Sequence, residues 1–316
     1  MSLFYLLAGI ILLVVGGELL VRSSVGLSFK LNLSKLVIGM TVVSFATSAP
    51  ELIVSVQAAL GGHSDLALSN VIGSNIANIS LVLGLTIVIM PMMVDGEFFK
   101  MNWPMMMLVS ILLYVFLLIN KDLNRWEGGF LLFLLMIFLW LIIKRARHNP
   151  SLNHEDIDIA LKETTPLKIG VWLILGGVSL WFGSELLVNG ATDIAQKMGV
   201  SERVIGVSMV ALGTSVPELA ASVIAALRQE KAISLGNLIG SNIFNISSVL
   251  GITALIQPIT VNDIVLLHRD IFWMLGAALV ILPMVLVKKP NYLGRWEGLV
   301  LLIGYISFIY ISFLKV

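Results

Sequence analysis

The chain has 316 residues, of which 58% are hydrophobic and 12% charged, with a formal net charge of +1 and a mean hydropathy of +0.99. A soluble domain carries about 25% charged residues, so this composition excludes one and describes an integral membrane protein. The small net charge gives no basis for nucleic-acid binding, and the lack of cysteine excludes disulfides and thiolate metal sites.

Ten apolar runs are long enough to cross a bilayer as helices, which takes about 20 residues each. They are 3–27, 36–60, 66–91, 101–119, 126–143, 168–196, 203–227, 232–258, 270–287 and 297–314. Apolar and polar residues do not alternate in them, so an all-α polytopic fold is predicted and a β-barrel is not. The opening MSLFYLLAGI lacks a basic n-region, and the first run is read as a retained span. That run carries Glu18, and the sixth carries Glu185. Each could line an access path or sit near a membrane face in a structural role, and the structural role is favoured.

The second run reads IGMTVVSFATSAPELIVS around Glu51. Pro50 cannot donate a backbone hydrogen bond and clashes with the preceding turn, which predicts a kink or break near Phe45–Ser48. Freed carbonyls in a bilayer must face protein or a wet cavity. Thr47 and Glu51 are four apart and share a helical face. The third run carries Ser74 and Asn78, also four apart. Trp126, beside Arg125 and Glu127, reads as an interface anchor, as does Trp296. The methionines of WPMMMLV read as packing or lipid-facing.

The segment 144–167 is the longest polar stretch. Its acids Glu155, Asp156 and Asp158 lack the spacing and glycine of a calcium loop, so it is read as a solvated linker. It divides a first five-helix repeat, 1–143, from a second, 168–316. The seventh run, IGVSMVALGTSVPELAAS, restates the second, and GNLIGSNIFNIS restates SNVIGSNIANIS of the third. Glu18 and Glu185, Gly39 and Gly206, Glu51 and Glu218, Ser74 and Ser241, Asn78 and Asn245, and Pro91 and Pro258 are all 167 positions apart. RWEG recurs at an interval of 170. Gly39, Gly73, Gly206 and Gly240 are expected at close helix contacts.

Five spans per repeat is an odd number, so the second repeat must enter from the opposite side, an inverted-topology arrangement. With the N-terminus outside, inner connections hold thirteen Lys and Arg residues, Lys30, Lys35, Lys100, Lys144, Arg145, Arg147, Lys162, Lys168, Arg228, Lys231, Lys288, Lys289 and Arg295. Outer ones hold six, Lys121, Arg125, Lys197, Arg203, Arg269 and Lys315. The excess puts both termini outside and the linker in the cytoplasm.

An ionisable group kept in an apolar span marks an ion or substrate path by default, and this chain keeps one twice. Pooled with the hydroxyls, amides and freed carbonyls, the two carboxylates make a set of hard oxygen donors. Such donors suit Ca²⁺, Mg²⁺, Mn²⁺ or Na⁺, and two carboxylates neutralise one divalent ion. When empty, the pair would take up protons or monovalent cations, which supplies the logic of exchange. Asn78 and Asn245 are also fit to bridge helices.

The repeated TSxPE and GSNIxNI blocks resemble the two α-repeats of the sodium/calcium exchanger family, in the calcium/cation antiporter superfamily, over nearly the whole chain. The likeness is to a prokaryotic member without a regulatory domain, in a cell membrane. It implies that Glu51 and Glu218 are central Ca²⁺ ligands, with Thr47, Ser48, Thr214 and Ser215 giving hydroxyl or carbonyl oxygens. It implies that Ser74 and Ser241 line Na⁺ sites, that Ser44 and Ala211 offer backbone carbonyls, and that Asn78 and Asn245 complete the polar centre. The chain departs from the family with Ala46, where glycine is usual (as at Gly213), and with Asn245, where many relatives have aspartate. Asn245 argues against potassium dependence.

The expected function is a secondary antiporter exchanging Ca²⁺ for Na⁺ by alternating access at the membrane midplane, with no cofactor. A Ca²⁺/H⁺ or other divalent cation/H⁺ exchanger on the same fold is the alternative. A cation channel fits less well, because pores are usually repeated by oligomeric symmetry. No nucleophile–base pair suggests an enzyme, since His63, His148, His154 and His268 all fall in loops or at helix ends.

Overall fold

The computed structural model describes residues 2–94, 96, 98–148, 159–198, 213–287 and 291–314. Its helices, in chain order, are α1 (Ser2–Leu31), α2 (Lys35–Thr47), α3 (Ala49–Leu60), α4 (Ser64–Ile89), α5 (Phe98–Asn120), α6 (Arg125–His148), α7 (Ile159–Lys162), α8 (Pro166–Lys197), α9 (Val216–Leu227), α10 (Lys231–Ile256), α11 (Leu266–Leu286) and α12 (Arg295–Leu314). Among the described residues eight helices are long and apolar enough to span a membrane, and α2 with α3 makes a ninth span bent by 43°. The break falls at Ser48, where Pro50 predicts it. Residues 203–212 of the seventh run lie outside the described residues, as do 149–158 of the linker.

Two-residue strands close the loops. They are β1 (Met92–Met93), β2 (Asp122–Leu123), β3 (Ile259–Thr260) and β4 (Tyr292–Leu293). β1 pairs with β4 and β2 with β3, both antiparallel. Helix starts follow from local chemistry. Asn124 Oδ1 accepts from the Trp126 and Glu127 amides while Glu127 Oε2 accepts from the Asn124 amide, a capping box for α6. Glu297 does the same for the Gly294 amide before α12. RWEG thus supplies a helix cap as well as a tryptophan at the surface, Trp126 and Trp296 being exposed.

The chain packs as two units, Met1–Thr47 with Trp140–Asn237, and Ser48–Leu139 with Leu238–Val316. Each takes helices from both sequence repeats. In the first unit α1 and α8 run antiparallel, Gly9 opposite Gly183 and Gly16 opposite Gly176. A Cβ at Gly16 would lie 2.9 Å from the Gly176 carbonyl, and one at Gly183 would lie 3.1 Å from that of Gly9. Only glycine permits this backbone approach. Gly39 is similarly tight, since its Cβ would fall 2.6 Å from the Ile233 carbonyl. Gly73 departs from expectation, because a Cβ there meets nothing within 4 Å among the described residues.

In the second unit Gly84 meets Gly298 and Gly128 meets Gly251, each contact tight enough to exclude a side chain. Its helices carry π-helical turns, at Ala77–Leu83 in α4 and Asn245–Leu250 in α10, and again at Phe98–Asn102 in α5 and Leu266–Asp270 in α11. Such turns insert an extra residue and are frequent at functional sites. Here two of them carry Asn78 and Asn245.

Candidate cation site

In the first unit α9 starts just after Ser215 (φ −88°, ψ −1°), with Val216 and Pro217 opening the helix and Glu218 in its first turn. Glu218 is fully buried. Pro217 has no N–H for the Gly213 carbonyl four residues earlier, and the Ser184 hydroxyl donates to that carbonyl instead, at 2.5 Å. The end of α2 packs against α9 and brings Ser44 and Thr47, both fully buried. Ser44 Oγ donates to the carbonyls of Gly39 (2.9 Å) and Asn237 (3.0 Å).

Asn237 joins these elements. Its Oδ1 accepts from Thr47 Oγ1 at 3.2 Å, and its Nδ2 donates to Ser222 Oγ at 3.0 Å, one helical turn beyond Glu218. Thr214 and Ser215 lie in the turn before α9, with Ser215 buried. Ala211 lies outside the described residues. Glu18 belongs to a different cluster, accepting from Arg22 Nε (2.6 Å) and Arg228 Nε (2.8 Å), whereas Glu185 is exposed.

The second unit repeats the arrangement. Ser48 has φ −84° and ψ 1°, and Ala49 and Pro50 precede Glu51 in the first turn of α3. Glu51 is fully buried. Asn70 Nδ2 donates to Ser55 Oγ at 3.0 Å and to the Glu51 carbonyl at 3.3 Å. α3 packs against α4 and against the π-turn of α10. These elements bring Ser74, Asn78, Ser241 and Asn245, all fully buried.

Asn245 Nδ2 donates to Asn75 Oδ1 (3.1 Å), and Asn75 Nδ2 to the Asn242 carbonyl (3.2 Å). Among the described residues neither Oδ1 nor Nδ2 of Asn78 has a hydrogen-bond partner, nor does Asn245 Oδ1. A buried polar group left unmatched costs about 1–3 kcal/mol. Two such amide oxygens, in the unit that holds Glu51, fit a site whose ligand supplies the missing partner.

Each unit thus holds one buried glutamate in a helix first turn opened by Ser–Xaa–Pro, where the positive end of a helix favours the carboxylate. The donors are oxygens, which suits a hard cation of the Ca²⁺ or Na⁺ kind. Ser55 and Ser222, Asn70 and Asn237, and Asn75 and Asn242 were not singled out from sequence. The interval of 167 that pairs the glutamates pairs them too and would have found them.

The chain matches the sodium/calcium exchanger protein family over residues 1–144 and 168–314. It is 35% identical to inner membrane protein YrbG of Escherichia coli, over 95% of this chain and 93% of that protein. It is 29% identical to sodium/calcium exchanger MaX1 of Methanosarcina acetivorans, over 98% and 97%. Among solved structures, the sodium-calcium exchanger NCX_Mj soaked without Na⁺ and Ca²⁺ superposes with a TM-score of 0.83 at 33% identity, over 98% of each chain. The same exchanger soaked with 2.5 mM Na⁺ and 0.1 mM Ca²⁺ gives 0.82.

Proposed function

Because the chain belongs to the sodium/calcium exchanger family, and so to the antiporters that move Ca²⁺ against another cation, we propose that its coupling ion is Na⁺ and that Glu51 and Glu218 share the transported Ca²⁺. The observation that carries this reading is the pair of buried glutamates, each in the first turn after a Ser–Xaa–Pro break with nearly identical backbone angles. Thr47, Ser48, Thr214 and Ser215 complete the Ca²⁺ shell in this proposal. Ser74 and Ser241 line Na⁺ positions, Asn78 and Asn245 contribute amide oxygens, and Ser44 and Ala211 contribute backbone carbonyls.

Two carboxylates match one divalent charge, so the loaded site is close to neutral and can be carried across a low-dielectric span. The bare dianion cannot do so cheaply. Na⁺ ions restore neutrality on the return step through the same oxygens. The proposed frame is ten spans in two inverted repeats, 1–143 and 168–316, joined by a cytoplasmic linker at 144–167, with both termini outside. The antiparallel contact of α1 with α8 supports it.

The test is Ca²⁺ uptake into vesicles loaded in turn with Na⁺, H⁺ and K⁺. Na⁺-dependent uptake is expected. Uptake driven by a proton gradient and indifferent to Na⁺ would overturn the Na⁺ assignment in favour of Ca²⁺/H⁺ exchange.

A further inference from the structure

The second unit holds a cleft of ≈ 460 Å³ between α11 and α12. Phe272, Gly276, Val280 and Met284 line it at intervals of four, one stripe along α11. Gly304 lines the wall on α12, and among the described residues a Cβ on either glycine would meet nothing within 4 Å. From His268 to Met284 the cleft runs about 24 Å along the helix, more than the ~15 Å depth of one hydrocarbon leaflet.

The small side chains that open this space are particular to the second repeat. The buried stripe Met106, Val109, Ser110, Leu113 and Leu117 of α5 recurs 168 positions later as Met274, Ala277, Ala278, Ile281 and Val285 of α11. RWEG aligns α6 with α12 at 170. In these registers Gly276 stands for Leu108, Met284 for Phe116, Val300 for Phe130 and Gly304 for Leu134. In the first repeat Phe116 and Phe130 meet edge-on, ring centroids 6.3 Å apart. The second repeat has a smaller side chain at all four places.

His268 and Arg269 line one end of the cleft, and among the described residues no carboxylate lines it. Both sit in the first turn of α11, at the membrane end of the span. Asp270 accepts from Arg269 Nε at 2.6 Å, which steadies a guanidinium whose remaining N–H groups match a phosphate. An apolar cleft longer than a leaflet, with a guanidinium at the end where the apolar run of α11 begins, is complementary to an amphiphile with an anionic head. We propose that this cleft binds an anionic phospholipid, one acyl chain lying between α11 and α12 and the phosphate on Arg269. Its floor includes Ser80, on the π-turn that carries Asn78, so the lipid would back the segment bearing a proposed ion ligand.

The experiment is native mass spectrometry of the full chain with phosphatidylglycerol and phosphatidylcholine of matched tails. Wild type should retain phosphatidylglycerol about tenfold better, equivalent to 1.4 kcal/mol. Arg269→Gln should bring the two lipids level. Gly276→Leu with Gly304→Leu, which restores the first repeat's residues, should remove both. Equal retention by wild type, or a preference unchanged in Arg269→Gln, overturns the proposal. So does a dimer that the leucine variant makes monomeric, since a second copy would then be the occupant. Melting curves check the leucine variant, and Arg269→Gln decides alone if that variant folds poorly.

Discussion

Glu51 and Glu218 concentrate the consequences at the scale of single residues. Removing one partner from a buried charge set costs about 3–5 kcal/mol, so Glu218→Gln should lower Ca²⁺ affinity a hundredfold or more in vesicle flux. Wild-type flux in that variant would remove Glu218 from the site. Asn237 works through others, holding the Thr47 hydroxyl and the Ser222 hydroxyl at once. Losing one such bond is worth about 1 kcal/mol, so Asn237→Ala should raise the Ca²⁺ KM several-fold with a smaller change in the maximal rate. An equal loss in both would point to general misfolding. Ser184→Ala strips the donor from the Gly213 carbonyl and should lower stability by about 1 kcal/mol, read as a drop in Tm. The glutamates were legible in the sequence because a charge in an apolar run is rare. Asn237 and Asn70 were not, since an amide in a membrane helix serves equally as ligand, bridge or brace, and only its partners distinguish these roles.

The elements were legible to different depths. Long apolar runs located the spans, and Pro50 located the break in the second one. The π-turns left no trace, because an extra residue in a helical turn alters neither composition nor the apolar stripe. The caps by Glu127 and Glu297 were present in RWEG but looked like membrane anchors, since cap and anchor draw on the same polar residues. Glycines were ambiguous in the same way, as Gly39 is pressed against Ile233 while Gly73 faces open space. The breaks are the elements on which function should turn. Pro50→Ala restores an N–H to the Ala46 carbonyl and favours a continuous helix, an effect of up to about 3 kcal/mol. Tm should rise while Ca²⁺ flux falls. A straightened helix that still transports at the wild-type rate would show that the break is incidental.

At the scale of the molecule, close glycine contacts hold helices of the two repeats together within each unit. Gly16→Leu would drive a side chain into the Gly176 carbonyl and should prevent stable assembly, seen as loss of the monodisperse peak in detergent. A reporter at the C-terminus should be found outside the cell, as the charge distribution demands, and a cytoplasmic reporter would reverse the orientation.

The pairing of these contacts has a further implication. Gly9 is the repeat mate of Gly176, and Gly16 that of Gly183. Position 9 of one half therefore touches position 16 of the other, and the reverse contact is also made. Gly84 with Gly298 and Gly128 with Gly251 obey the same reciprocity, as do the two strand pairs. Reciprocal contact between equivalent positions is the signature of an isologous interface. Within one chain, the two sequence repeats thus meet through the kind of reciprocal contacts by which the two subunits of a homodimer meet.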